Sequence, residues 1–360
     1  MPWIATPETN TAGFKDHVEL SQRDLIGYGL EGVSGDVWPN GAKIAVSFVL
    51  NYEEGAEFTT WNGDDRSNEF LHEHHNHREP VKGRRDMLVE QGFEYGIRAG
   101  LPRLIRLFDS FGWNFTVWAC ARSFEVTGFY PKLLADKGHE IACHGNRWRG
   151  TADLAGPDEE AEHVRKSFKR LQDSTGRKDV PTAWFTGNGS TYHRHIRARV
   201  HKELGVPLQY NSDSYAGDLP YWVPDPLSYD GEPDNGMLML PYSLTNNDHR
   251  FMVKGAVGTG SARDWFDLLK GDFDTLYKEG VRGQPKMMTI AMHNRVLGKP
   301  ARAMALKRFM QYVADKEAAN PGTVWVTTRS EIAAAWKEKF PYEKVGPTVE
   351  LHRKGMAQTA

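Results

Sequence analysis

Apolar, β-branched runs of strand length alternate with helix-length segments from about residue 42 onward, and several of these runs end on an ionisable side chain. AKIAVSFVL gives way to NYEEGAE, which puts the adjacent Glu53 and Glu54 where strand becomes loop; HEIAC stops at His144, and MMTIAM stops at His293. A strand–helix–strand rhythm restricts the chain to sheets of mostly parallel strands. No Gly-rich phosphate turn follows the first strand, so seven or eight strands separated by helices fit a closed or nearly closed barrel better than a doubly wound sheet. Barrel enzymes carry their chemistry at the C-terminal ends of the strands, which gives the three strand-end groups a common meaning.

The strand-like segments are AKIAVSFVLN, NFTVWACA, HEIACHG, PTAWFTG, LQYNSDS, GMLMLPY, MMTIAMH and TVWVTTR. Between them, Ala161, Val164, Phe168 and Leu171 recur at helical spacing and predict a helix from about Pro157 to Ser174, with Gly176 placed as its C-terminal cap. LPYWVPDP reads as a Pro-rich loop. Residues 1–41 are rich in Gly, Pro and polar side chains and read as an arm; residues 42–345 form one catalytic domain, and residues 346–360 a tail.

The 45 Lys and Arg nearly balance the 47 Asp and Glu, for a formal charge of -2. That leaves no basic excess for nucleic acid or an acidic membrane surface and points to a small-molecule substrate. The two cysteines, Cys120 and Cys143, fall in strand-like segments and read as small core hydrophobes, not as a disulfide framework. No basic N-terminal patch precedes an apolar run, and no stretch is long enough to span a bilayer, so a cytoplasmic protein is expected. Exposed-looking aromatics, among them Trp61 and Tyr130, together with the arm, suggest a homo-oligomer.

Adjacent carboxylates on extended backbone point to opposite sides, so Glu53 and Glu54 share an orientation only if the chain bends, which Gly55 permits. Sharing one site, they would divide into a base and a hydrogen-bonding partner; otherwise they are a solvated acidic loop. In HGNRW, His144 is followed at i+4 by Trp148, an indole where a second ligand would stand. The segment LHEHHNHRE brings together His72, His74, His75 and His77, which suit either a transition metal or a solvated loop. Asn246, Asn247 and Asp248 read as residues behind the substrate contacts.

In order and spacing, NYEEGAE, HGNRW, WFTGN, NSDSYAGDLPYW and MHNRVLGKPARA resemble the polysaccharide deacetylase superfamily, particularly its branch of metal-independent allantoinases and cyclic-imide hydrolases. The resemblance runs from about Arg23 to Tyr342 and implies a deformed (β/α) barrel of about seven strands. It places Glu53 as general base and His293 as general acid. Glu54 and His144 fall on the deacetylases' metal-ligand positions, and Trp148 on a third, where an indole cannot coordinate. Asp213 and Trp222 fall on the motif that supports the base and lines the pocket, and Arg295 and Gly298 complete H-x-R-x-x-G. Judged without the resemblance, Trp222 reads equally as a packing anchor, Asp213 as a turn residue and Arg295 as a structural ion pair.

Where that branch reads W-Y-T-G-R, this chain has WFTGN, so Asn188 replaces an arginine and supplies amide hydrogen bonds without charge. The implied activity is hydrolysis of a C–N bond in a cyclic amide or ureide without a cofactor, with His144, Asn188 and backbone N–H groups as oxyanion donors. Two other readings stand beside it: a deacetylase of N-acetylated sugars with a divalent ion such as zinc at Glu54 and His144, and a non-hydrolytic barrel that binds a small heterocycle.

Overall fold

The computed structural model describes residues 24–30, 32–73, 79–253 and 260–348. Most of the predicted arm, His74, His75 and His77 of the histidine-rich segment, and residues 349–360 of the tail lie outside this range; His72 lies inside it and is buried.

Nine strands form one sheet: β1 (Ile44–Tyr52), β2 (Thr116–Ala119), β3 (Glu140–Cys143), β4 (Ala183–Trp184), β5 (Tyr210–Asn211), β6 (Tyr221–Val223), β7 (Met237–Met239), β8 (Lys286–His293) and β9 (Val324–Val326). Their order is β6-β7-β5-β4-β3-β2-β1-β8, with β9 pairing the first residues of β1. Every pairing is parallel except β6 on β7. Among the described residues that is one strand more than the eight segments read as strands. The addition is β6, three residues inside the segment read as a Pro-rich loop and too short to show a strand period.

The sheet curls into a deformed (β/α) barrel. Ile44, Val46, Phe48, Leu50 and Tyr52 of β1 face outward and pack with helix residues such as Leu104, Phe108 and Phe309. Ala45 and Val49 face inward with Trp118, Ala142, Tyr210, Leu240 and Ala291. Both faces are buried, which is why the strands read as continuous apolar runs. Each fully buried large side chain contributes on the order of 1.5–3 kcal/mol. The inward row of β1 continues through Ser47 and Asn51 to Glu53, so the row that fills the barrel also delivers the acid to its mouth.

The edge of β8 that faces away from β1 is covered by loop backbone. Met287 N donates to Asp218 O at 3.0 Å, Ala291 N donates to Asn246 O at 3.0 Å, and Asn247 forms a bridge with Ala291. This irregular closure carries the 3₁₀ turn Asp248–Phe251 up against the end of β8.

Outside the barrel, the helices Met87–Tyr95 and Leu101–Phe111 are joined by a π turn at Gly96–Gly100. The predicted Pro157–Ser174 helix spans Pro157–Thr175, with Gly176 left-handed at its end. Trp61 is exposed and Tyr130 half-buried; Cys120 and Cys143 are buried free thiols. Among the described residues no helix is long and apolar enough to cross a membrane.

Candidate active site

Glu53 is the residue after β1, and Gly55 at φ 95° turns the chain away, so the two neighbouring carboxylates diverge. Glu53 points into the barrel mouth. Its Oε1 lies 3.2 Å from Nε2 of both His144 and His293, and its Oε2 accepts from Arg295 Nη2 at 2.7 Å. All four side chains are buried. Burial pushes the Glu53 carboxyl up, but the charges of His293 and Arg295 and hydrogen bonds from both histidines outweigh it and hold the group well below the usual carboxylate range.

His293 ends β8, directly beside Asn51 in the parallel register. Its Nδ1 lies 2.5 Å from Asp248 Oδ1, while Asp248 Oδ2 accepts from the backbone N–H of His293 at 2.8 Å and of Leu297 at 3.1 Å. Burial pulls the imidazole down, yet Glu53 and Asp248 overcome this and bring it to about 9. His293 is thus an imidazolium at neutral pH with one N–H on each carboxylate.

His144 follows β3, and its ring stacks on Phe185. Nδ1 lies 2.5 Å from Phe185 O; a carbonyl can only accept, so that nitrogen carries a hydrogen and the bond fixes the ring with Nε2 toward Glu53.

Glu54 departs from its expected role in substrate or metal contact. Its Oε2 accepts from Asn294 Nδ2 at 2.8 Å, and its Oε1 accepts from the Arg295 N–H at 3.2 Å and lies 3.5 Å from Arg295 Nη1. Burial raises its pKa against the pull of Arg295 and Asn294. It is a buried anchor for the His293–Gly298 loop. That loop sits close against the π turn: a Cβ on Gly100 would lie 2.1 Å from Asn294 O, and one on Gly298 would lie 2.4 Å from Gly100 Cα. This close approach is the physical reason for glycine at the end of H-x-R-x-x-G.

Arg295 bridges the two acids and donates from Nε to Leu71 O at 3.1 Å. Its guanidinium carbon stands 4.3 Å from the centroid of Phe93 and 5.0 Å from that of Trp148. Trp148 packs on Phe93 and Phe70 and so lines the site through the arginine that it covers.

Three expected site residues lie apart from this cluster. Asp213 pairs with Arg197 and accepts from the N–H groups of Thr186 and Gly187, both at 2.8 Å, bracing the loop after β4. Asn188 is exposed on that loop, with its side chain against Gly150 and its carbonyl accepting from Thr151 N. Trp222 donates from Nε1 to Phe340 O at 2.8 Å and packs on Tyr342; it anchors the C-terminal segment because it lies on the edge strand β6, away from the mouth. The carboxylate that orients the acid is Asp248, one of the residues assigned a place behind the substrate.

The divalent ion implied for the deacetylases proper does not suit this arrangement. Both Glu54 oxygens are engaged by donors, Trp148 brings no ligand atom, and a guanidinium already occupies the position between the acids. Among the described residues no three His, Cys, Asp or Glu side chains gather as metal ligands.

No protein-family model matches the chain. A Schizosaccharomyces pombe protein, provisionally named a polysaccharide deacetylase, is 38% identical over 323 residues, covering 89% of this chain and 98% of its own. Among solved structures, PuuE allantoinase superposes with a TM-score of 0.78 at 38% identity, over 89% of this chain and 98% of its own. A Pseudomonas aeruginosa PAO1 protein, likewise provisionally named a polysaccharide deacetylase, gives the same TM-score and identity over 89% of this chain and 99% of its own.

Proposed function

Because the chain belongs to the polysaccharide deacetylase family, we propose that it is an amidohydrolase that opens the ring of a cyclic amide or ureide, with Arg295 supplying the positive charge that a metal ion supplies elsewhere. The observation that carries this reading is the continuous Asp248–His293–Glu53–Arg295 contact chain. It holds a protonated acid and an ionised base on one oxygen at the barrel mouth.

Water attacks the ring carbonyl while Glu53 accepts its proton, and the tetrahedral species collapses as His293 Nε2 protonates the departing nitrogen. The C–O bond forms, the C–N bond breaks, and the products are a carboxylate and an N–H group on the opened chain. An acid at about 9 and a base held far down are each weak alone. Coupling remedies this: protonating Glu53 removes the anion that holds His293's proton, and deprotonating His293 removes the cation that depresses Glu53.

The likeness to PuuE allantoinase supports a ureide substrate. The names of the two other relatives favour a second reading, deacetylation of a polysaccharide; a divalent ion for it would fall to Glu54 and His144. The deciding experiment is turnover of allantoin, hydantoin, dihydrouracil, succinimide and an acetylated chito-oligosaccharide, each with and without chelator. Chelator-resistant ring opening of one cyclic amide is expected, and its loss by ~10²–10⁴-fold in Glu53→Gln. Chelator-sensitive acetate release would establish the second reading. The proposal includes a small-molecule substrate and a cytoplasmic homo-oligomer, checked by a solution mass above 40.7 kDa.

A further inference from the structure

Behind Glu53 on the inward face of the barrel lies a buried hydroxyl, bonded to Asn51 and Asn247, that the reaction above does not use. Tyr242 follows β7 and points inward, and its ring stacks on Phe185 with centroids 4.0 Å apart. Phe185 in turn stacks on His144, so the phenol belongs to the same aromatic column as a site histidine. Its oxygen accepts from Asn51 Nδ2 at 3.0 Å and from Asn247 Nδ2 at 3.1 Å.

The direction of both bonds is set by independent partners. Asn51 Nδ2 also donates to Met292 O at 3.2 Å, and a carbonyl only accepts. Asn247 Oδ1 accepts from His249 N at 2.9 Å, which turns its amide nitrogen toward the phenol. With two donors on its oxygen, Tyr242 has its own O–H left to give, and no acceptor takes it among the described residues. Asn51 lies two residues before Glu53 on the inward row and is registered with His293, while Asn247 directly precedes the Asp248 that holds His293. The hydroxyl is thus carried by the two segments that carry the base and the acid.

We propose that the Tyr242 hydroxyl donates a hydrogen bond to the carbonyl oxygen under attack and stabilises the oxyanion of the tetrahedral intermediate. This deepens the hydrolytic reading and rests on it. No net proton leaves Tyr242: the bond strengthens as charge builds on the oxygen and relaxes when the C–N bond breaks. The two asparagine donors polarise the phenol in the direction that makes it a better donor. The exposed Asn188, expected as an oxyanion donor, gives up that role to Tyr242.

The test uses the full chain and whichever amide the wild type hydrolyses. Tyr242→Phe keeps the ring stack and removes only the oxygen. The expected result is a fall in kcat of ~10²-fold, with KM changed by less than about threefold and the alkaline limb of the pH profile unmoved. Fluorotyrosines at position 242 preserve the fold and the asparagine bonds while making the phenol more acidic, and kcat should change monotonically with that acidity. A Tyr242→Phe variant with wild-type kcat overturns the proposal. So does a loss of activity with a shifted alkaline limb and no response to fluorination, which would mark the phenol as a support for Asp248 and His293. A wild type that hydrolyses none of the amides overturns the hydrolytic reading itself, and this inference with it.

Discussion

The guanidinium of Arg295 lies over the indole of Trp148, 5.0 Å from its centroid, at the position that the sequence resemblance aligns with a histidine ligand of the deacetylases proper. Phe93, whose ring centroid is 5.9 Å from that of the indole, flanks the same guanidinium at 4.3 Å. A cation held against a corner of two rings, desolvated and paired with two carboxylates, is a fixed charge; an aromatic contact of this kind is worth ~1–2 kcal/mol.

Restoring the histidine should therefore not restore a metal centre. Trp148→His is expected to bind less than stoichiometric zinc by elemental analysis, because Arg295 still neutralises Glu53 and Glu54. Loss of the aromatic face should cost kcat/KM about tenfold. One tightly held zinc per chain in this variant would sink the idea that the arginine excludes the ion.

Asp248 controls the pH range. His293 titrates at about 9 with Glu53 and Asp248 as the groups that raise it, and it acts as an acid only when protonated. Activity should hold across neutral pH and fall as pH rises through about 9. Asp248→Asn removes one raising charge, so the alkaline limb should move toward neutral and kcat at neutral pH should fall. A limb that stays in place in the kcat/KM profile would dissociate His293 from the reaction.

How much of this was legible in the sequence follows from what each residue had to satisfy. Glu53, His144 and His293 end apolar strands, and a strand end in a parallel barrel is a place as well as a pattern, so periodicity located them. Arg295 was reachable only through the motif. Asp248 reaches His293 across 45 residues, by way of loop backbone that covers the open edge of β8, and nothing in the local spacing of NND signals that closure. Asn51 and Tyr242 looked like ordinary strand residues because polar inward positions inside an apolar run carry no signal of their own. Trp222 and Asp213 match motif positions, yet the first sits on an edge strand and the second faces Arg197.

Asp213 should behave as a structural residue. Arg197 is fully buried against it, and burial is outweighed by Arg197 and His193 so that the carboxyl is held well below its usual range. The stabilisation is present above the unfolded carboxylate pKa and lost as pH falls toward the folded one. Asp213→Asn leaves a buried guanidinium without its counter-charge and should cost ~3–5 kcal/mol in denaturant unfolding. Activity below the melting transition should fall less than tenfold; a collapse of kcat in a folded variant would return Asp213 to the site.

Glu57 gives a pH signature with the opposite sign. Its carboxyl is buried, its Oε2 accepts from Gly55 N at 2.5 Å, and burial, against the pull of backbone hydrogen bonds, raises it to about 7. The fold therefore prefers the protonated acid. Stability from this group is complete below the ordinary glutamate pKa of 4.5 and is lost as pH rises through about 7. Glu57→Gln mimics the protonated acid at every pH. The variant should match the wild type in mild acid and exceed it at alkaline pH by about 3 kcal/mol, or about 4 °C in Tm for a chain of this length. A substitution whose cost in stability grows as pH rises would show that Glu57 is ionised in the fold, as a partner of Arg295 and not as a neutral acid under the mouth of the barrel.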